Sequence, residues 1–347
     1  MRIVGIGGGT GLPVLLRGLK ELSERNGDAP IGDRVSTAAI VCVSDDGGSS
    51  GLLRQAFGIP AVGDLRNCLV ALASGNPTLR YLFQYRLHTD CGLDGHSLGN
   101  LIVAALSARS GNLRRAIHLA SDFLDLQGDV LPCTETCATL CAEFLDGQIV
   151  SGETKIAARR KPIRRVWLDP PDTPPAAGVI ETLRSADAIV LGPGSLHTSI
   201  IPNLLPSGIA DAVRESGALK ILVCNLMTQP GETECYSASD HVRTVQRYLG
   251  ESGLQVCLLN SHHVPDAIAE QYASSGAEPV RCDEQEIHQL GVVPISMDLL
   301  AEGEREVRHD AKKLARWIVA LTRAYQRTRE LDAGEVLCVA QPAAALS

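Results

Sequence analysis

Ile3-Val4-Gly5-Ile6 runs directly into Gly7-Gly8-Gly9-Thr10-Gly11, and Leu12-Pro13 then opens a stretch in which Leu15, Leu16 and Leu19 recur at helical spacing. A short apolar run, a glycine-rich turn and an amphipathic helix, in that order, read as a βα unit. Glycines let backbone N–H groups approach an anion closely, and a helix N-terminus adds partial positive charge, so a phosphate is the natural occupant of Gly8, Gly9, Thr10 and Gly11. Pro13 suits the first helical turn, where its missing N–H costs nothing. The spacing is neither the dinucleotide fingerprint GxGxxG in register nor a P-loop ending in Gly-Lys-Ser/Thr. It points to phosphate rather than to a named cofactor, against the alternative of a tight turn with no ligand.

Four further runs repeat the pattern. Ala39 to Val43 leads into Ser44-Asp45-Asp46-Gly47-Gly48, Ala188 to Leu191 into Gly192-Pro193-Gly194-Ser195, Ile221 to Cys224 into Asn225, and Val256 to Leu259 into Asn260-Ser261. Every polar cluster follows its strand, so an α/β fold with a mainly parallel sheet places all of them along one edge, where such folds bind ligands. Between about Asp129 and Pro175 the pattern changes to short alternating segments, with Asp146-Gly147 as a tight hairpin turn, and Asp169-Pro170-Pro171-Asp172-Thr173-Pro174-Pro175 leads back. The chain therefore divides into one main domain (1–128 and 176–325), a small β-rich insertion with its Pro-rich linker (129–175), and a tail at 326–347 that is expected to be mobile.

Composition narrows the function. With 45% hydrophobic and 21% charged residues the 347-residue chain is globular rather than disordered, and with 3% aromatics its core must be aliphatic. No apolar stretch is long enough to span a membrane, and Met1-Arg2 enters the first strand with no cleavage site. Eleven cysteines without a leader read as free thiols, so a cytoplasmic protein is expected. A formal charge of −8 argues against a nucleic-acid partner.

Asp45 and Asp46, at a strand end, suit a ribose-binding carboxylate, a Mg²⁺ pair facing a diphosphate, or an Asx-rich turn, and spacing does not choose among these. Asp64 precedes the helical stripe Leu65, Leu69 and Leu72 and reads first as an N-cap. Arg66 forks onto a phosphate if that helix start faces the crevice, and is otherwise a surface arginine. Gly95-His96-Ser97-Leu98-Gly99 matches the hydrolase elbow GxSxG, yet polar, loop-like residues precede it where a buried strand is required. Ser97 therefore reads as an N-cap, with Asn100 one turn on and able to meet a ligand. Cys133, Cys137 and Cys141 read as structural, and Lys155, Arg159, Arg160, Lys161, Arg164 and Arg165 form a basic cluster that is either a solvated face or a contact for an acidic partner.

Taken together, Gly7 to Leu12, Ser44 to Gly51, Gly63-Asp64-Leu65-Arg66-Asn67, Gly95 to Asn100 and Gly192 to Leu196 resemble the YvcK-like gluconeogenesis factors, and Asn225 to Thr233 and Arg308-His309-Asp310 extend the match. The wider superfamily includes the CofD-like 2-phospho-L-lactate transferase. The resemblance implies a Rossmann-like three-layer α/β/α fold that binds UDP-sugars, notably UDP-N-acetylglucosamine and UDP-glucose. It also implies a regulator of growth and cell shape on gluconeogenic carbon, with no cofactor required. By motif position Tyr272 and Arg308 would contact the nucleotide. The loops at 7–11 and at Gly194-Ser195 would cradle the diphosphate, and Asn225 and Asn260 would bond ribose or sugar hydroxyls. The alternative is a Mg²⁺-dependent group transferase in which Asp45, Asp46 and Asp64 hold the metal. A homodimer and a protein partner in cell-wall synthesis are left open. One departure stands out, since His197 occupies a position where the family usually has tyrosine.

Overall fold

The computed structural model describes residues 1–25, 34–303 and 306–331. Ten strands form: β1 (Arg2–Gly7), β2 (Ser36–Val41), β3 (Asp129–Pro132), β4 (Thr139–Phe144), β5 (Ile149–Ser151), β6 (Ile163–Asp169), β7 (Ala188–Leu191), β8 (Leu219–Val223), β9 (Val256–Asn260) and β10 (Val293–Met297). Seven make one sheet in the order β10-β9-β8-β7-β1-β2-β3, with every neighbouring pair parallel. Helices cover both of its faces, which is the expected Rossmann-like α/β/α arrangement. The other three strands form an antiparallel sheet, β5-β4-β6.

Burial explains which strands the sequence announces. β7 and β8 are buried at every position, and β1 and β9 at all but one end, so they read as apolar runs, interrupted in β8 by Lys220, whose buried ammonium donates to Ser216 O (2.7 Å). The two outer strands, β3 and β10, are not among the five runs. β3 has four residues and ends on Pro132, and β10 is half-buried and contains Pro294. Proline is tolerated there because an edge strand leaves part of its backbone without a ladder partner. Pairing of Ala38 with Asp129 through Val41 with Pro132 puts the first strand of the 129–175 segment in the main sheet. The separate sheet spans Thr139 to Asp169, and its turn closes as read: Gly147 N donates to Phe144 O (3.0 Å) and Gln148 N to the Asp146 carboxylate (3.1 Å).

The helix Gly11–Arg25 buries Leu12, Leu15, Leu16 and Leu19 and packs against the last helix, Ala311–Leu331. That last helix continues six residues into the stretch set apart as a tail, and 332–347 lie outside the described residues. Among the described residues no helix is long and apolar enough to cross a membrane, and the described cysteines are free thiols.

Topology also fixes where a ligand can enter. The chain builds outward from β1 through β2 to β3, then returns to the other side of β1 and builds outward again through β7, β8, β9 and β10. The connections diverge between β1 and β7, and at such a switch point the loops leaving the two strands open a crevice.

Candidate functional site

The loops after β1 and β7 meet as floor of a cleft of about 470 Å³, formed by Gly9, Thr10 and Gly11 on one side and Pro193, Gly194 and Ser195 on the other. The approach is close enough to dictate residue type: a Cβ on Gly11 would stand 2.3 Å from the Pro193 carbonyl oxygen. The segment after β8 forms one wall. Asn225 Oδ1 accepts from Gly194 N (3.4 Å), its amide nitrogen faces Gln229 Oε1 (3.4 Å), and Gln229 Nε2 donates to Ser195 Oγ (2.8 Å). Opposite lie Tyr272 and the 306–309 segment. The Tyr272 ring packs in a small apolar cluster with Leu226, Met227, Val264 and Leu300, and its hydroxyl accepts from Val307 N (3.1 Å), which positions the neighbouring Arg308 at the rim. Arg308 forms an ion pair with Glu306, which also lines the cleft.

Two buried side chains set the floor from behind. Asn203 Nδ2 donates both to Gly7 O (2.9 Å) and to Ser199 O (2.7 Å), joining the end of β1 to the turn after β7. Glu232, at the cleft wall, accepts from His197 N (3.2 Å) and Thr198 Oγ1 (2.9 Å), and burial raises its pKa above the ordinary glutamate value. Neither residue was singled out from the sequence. Glu232 lies inside the quoted 225–233 motif, but a single buried polar residue has no periodic signature, and Asn203 has no local signal at all.

Asp64 is not an N-cap. Val62 holds that position, and the Asp64 carboxylate instead crosses to Gly9, accepting its N–H at 2.6 Å. The next residues complete the grip: Asn67 Nδ2 donates to Gly9 O (3.3 Å), and Arg66 Nη2 donates to Asn67 Oδ1 (2.6 Å). Arg66 is therefore a buried positioning residue, 7% exposed, rather than a surface arginine or a phosphate fork in the cleft. Burial pushes the Asp64 pKa up to about 6; the Gly9 hydrogen bond and the Arg66 charge oppose this, and Asp45 adds to it.

The other acidic groups lie beyond Asp64. Asp45 Oδ1 accepts from Gly47 N (2.8 Å), the Asx turn among the sequence alternatives. Asp46 Oδ1 accepts from both Thr154 N and Thr154 Oγ1 (2.8 Å each), docking the helix Glu153–Ala158. Gly152 accommodates this contact, since a Cβ there would stand 2.4 Å from Asp46 Oδ2 and its φ is +103°. Burial, then the charges of Asp45, Asp64, Glu232 and Asp46, raise Glu153 well above the usual glutamate range. Among the described residues no group of three or more His, Cys, Asp or Glu side chains is disposed to hold a metal ion.

Asn100 and Asn260 also stand apart from the cleft. Asn100 donates to Ser49 Oγ (3.2 Å), which also meets His96 Nδ1 (3.0 Å), and Asn260 is engaged by His262 and by Leu299 N. Ser97 sits at the N-cap position, but its hydroxyl donates to Phe83 O (3.0 Å) and makes no cap bond. An irregular segment at 87–96, not a strand, leads directly into it, so the hydrolase reading has no structural support. Of the expected residues, Gly9, Thr10, Gly11, Gly194, Ser195, Asn225, Tyr272 and Arg308 converge on the cleft. Gly8, Asp64 and Arg66 lie behind its floor.

The family described as 2-phospho-L-lactate transferase CofD matches residues 3–300. The gluconeogenesis factor of Halalkalibacterium halodurans is 44% identical over 317 residues, which is 91% of this chain and 95% of that protein. That of Bacillus subtilis is 42% identical over 320 residues, 92% of this chain and 98% of that protein. A crystal structure of a Bacillus halodurans protein superposes with a TM-score of 0.86 at 44% identity, covering 91% of this chain and 98% of that one. With a family model matched over residues 3–300, identity above 40% across nine-tenths of the chain and a superposable fold in agreement, the chain belongs to the YvcK-like gluconeogenesis factors of the CofD superfamily.

Proposed function

We propose that this protein is a cytoplasmic UDP-sugar-binding regulator that links cell-wall precursor supply to growth on gluconeogenic carbon. The observation that carries the reading is the cleft at the β1/β7 switch point, where two glycine-containing loops face Tyr272 and Arg308. Its volume lies in the range of small-ligand sites. Backbone N–H groups of the two loops suit diphosphate oxygens, and the Arg308 guanidinium, exchanging Glu306 for the ligand, supplies a planar fork of donors to the same group. Asn225 and Gln229 present amides to ribose or sugar hydroxyls, and Tyr272 offers an aromatic edge to the base. The names of the gluconeogenesis-factor relatives support the link to growth on gluconeogenic carbon.

The match to the CofD family favours a second reading, a Mg²⁺-dependent group transferase. Calorimetric titration with UDP-N-acetylglucosamine, UDP-glucose and GDP, each with and without Mg²⁺, separates the two when the ligand is recovered and chromatographed. The regulator binds an unaltered UDP-sugar without Mg²⁺ and loses about tenfold or more in affinity in Arg308→Ala. Binding of GDP alone, dependent on Mg²⁺, refutes the regulator in favour of the transferase.

A further inference from the structure

A second concavity, of about 610 Å³, opens between the three-stranded sheet and the helix Ala238–Leu249, away from the β1/β7 cleft and sharing none of its lining residues. Arg164 and Arg165 enter it from β6, Arg243 and Arg247 from the helix, Leu145 from the hairpin, and Tyr236 faces it. We propose that this groove docks an acidic, extended polypeptide segment of a partner protein that carries an apolar side chain among its carboxylates.

Charge supplies the first argument. Four guanidinium groups from two separate elements converge in a chain whose net charge is −8. Their internal neutralisation is incomplete. Arg164 (2.9 Å) and Arg165 (2.7 Å) share the single carboxylate of Glu143. Arg243 (2.8 Å) has Asp240, whose other oxygen already serves Ser237 in the helix capping box. Among the described residues Arg247 has neither a hydrogen bond nor an ion pair of its own. Its charge is nevertheless felt inside the protein, where it opposes protonation of His197 and favours ionisation of Tyr236 and Tyr248. Six charges, four positive and two negative, leave the groove net positive and its guanidinium forks with donors to spare for carboxylates.

Shape and polarity identify the occupant. The donors are long, exposed side chains along an open trough, rather than backbone N–H groups gathered at a point, so they suit carboxylates distributed along a chain. Leu145 at the lip is 70% exposed. With Pro162 and Tyr236 the groove thus offers an apolar strip beside the guanidinium groups, which a polypeptide segment can use and a sugar-phosphate backbone cannot.

The test uses the full chain and three fluorescein-labelled probes: a twelve-residue peptide of glutamates with two leucines, the same peptide with lysine for glutamate, and a twelve-nucleotide oligothymidylate. Anisotropy is read at low and physiological salt. The acidic peptide is expected to bind saturably, and Arg243→Gln/Arg247→Gln weakens it about tenfold. Arg114→Gln/Arg115→Gln, which makes the same change in net charge on a different face, changes it less than about twofold. Equal weakening by both pairs, or no saturable binding of the acidic peptide, overturns the proposal. Oligothymidylate binding as tightly as the peptide overturns it in favour of a nucleic-acid surface.

Discussion

Asp64 gives the structure its sharpest test, because its carboxylate is buried to hold one backbone amide of the ligand loop. Its pKa moves from 3.8 to about 6, chiefly through burial. The folded state therefore favours the protonated acid, and the stability this contributes is fully present below pH 3.8 and is lost as the pH rises through 6. Once ionised, the group costs the folded state about 3 kcal/mol, of which roughly 1.4 kcal/mol develops between pH 5 and pH 8. Asp64→Asn keeps an oxygen that can accept from Gly9 N and removes the titration. The assay is urea unfolding of both proteins at pH 5 and pH 8. Other carboxylates contribute to the wild-type slope, Glu153 and Glu232 among them, because burial raises their pKa values too. The informative quantity is therefore the difference between proteins: the variant should lose about 1.4 kcal/mol less stability than wild type between the two pH values. Identical pH dependence in the two proteins would refute the reasoning, and would mean that Asp64 is ionised at pH 5 with Arg66 as its effective counter-charge.

Gly11→Ala tests the meeting of the two loops: a Cβ at 2.3 Å from Pro193 O has to push them apart, so UDP-sugar affinity should fall tenfold or more and stability by about 1–3 kcal/mol. Gly92→Ala, where nothing lies within 4 Å, is the control, and calorimetry with thermal melts would expose a wrong account if both variants behaved alike. His197 has the opposite pH sign to Asp64. Burial, aided by coupling to His241 and by the Arg247 charge, pulls its pKa down to about 3, so the stability it contributes is present above pH 6.5 and is lost as the pH falls towards 3. His197→Leu should accordingly lose about 2–3 kcal/mol less than wild type between pH 7 and pH 4.5, measured by denaturant unfolding; an unchanged acid slope would show that His197 is protonated inside the fold.

How far the sequence discloses this site depends on how local each structural cause is. The five runs that announce the sheet are strands buried by helices on both faces, where most residues are apolar and a polar one such as Lys220 must find a hydrogen-bond partner inside. β3 and β10 escape notice because an edge position tolerates Pro132 and Pro294 and exposes side chains that break the run. The cleft floor is legible for a related reason, since glycines following a strand have few purposes other than a tight turn or a close approach. Tyr272 and Arg308 are not legible this way. The helix Asp266–Ala273 buries no residue, and the 306–309 segment is irregular, so only the resemblance to a known family points to them. Asp64 illustrates the limit from the other side. A capping rule looks three residues along the chain, whereas the hydrogen bond that places Asp64 reaches Gly9, 55 residues upstream. Asn203 binds Gly7 O across 196 residues. Glycine geometry within two βα turns shapes the floor, but its setting is held by side chains from distant segments. A substitution at Asn203 should therefore disturb ligand binding without altering any residue that touches the ligand, because the carbonyls of Gly7 and Ser199 would each lose the donor that holds the two loops in register.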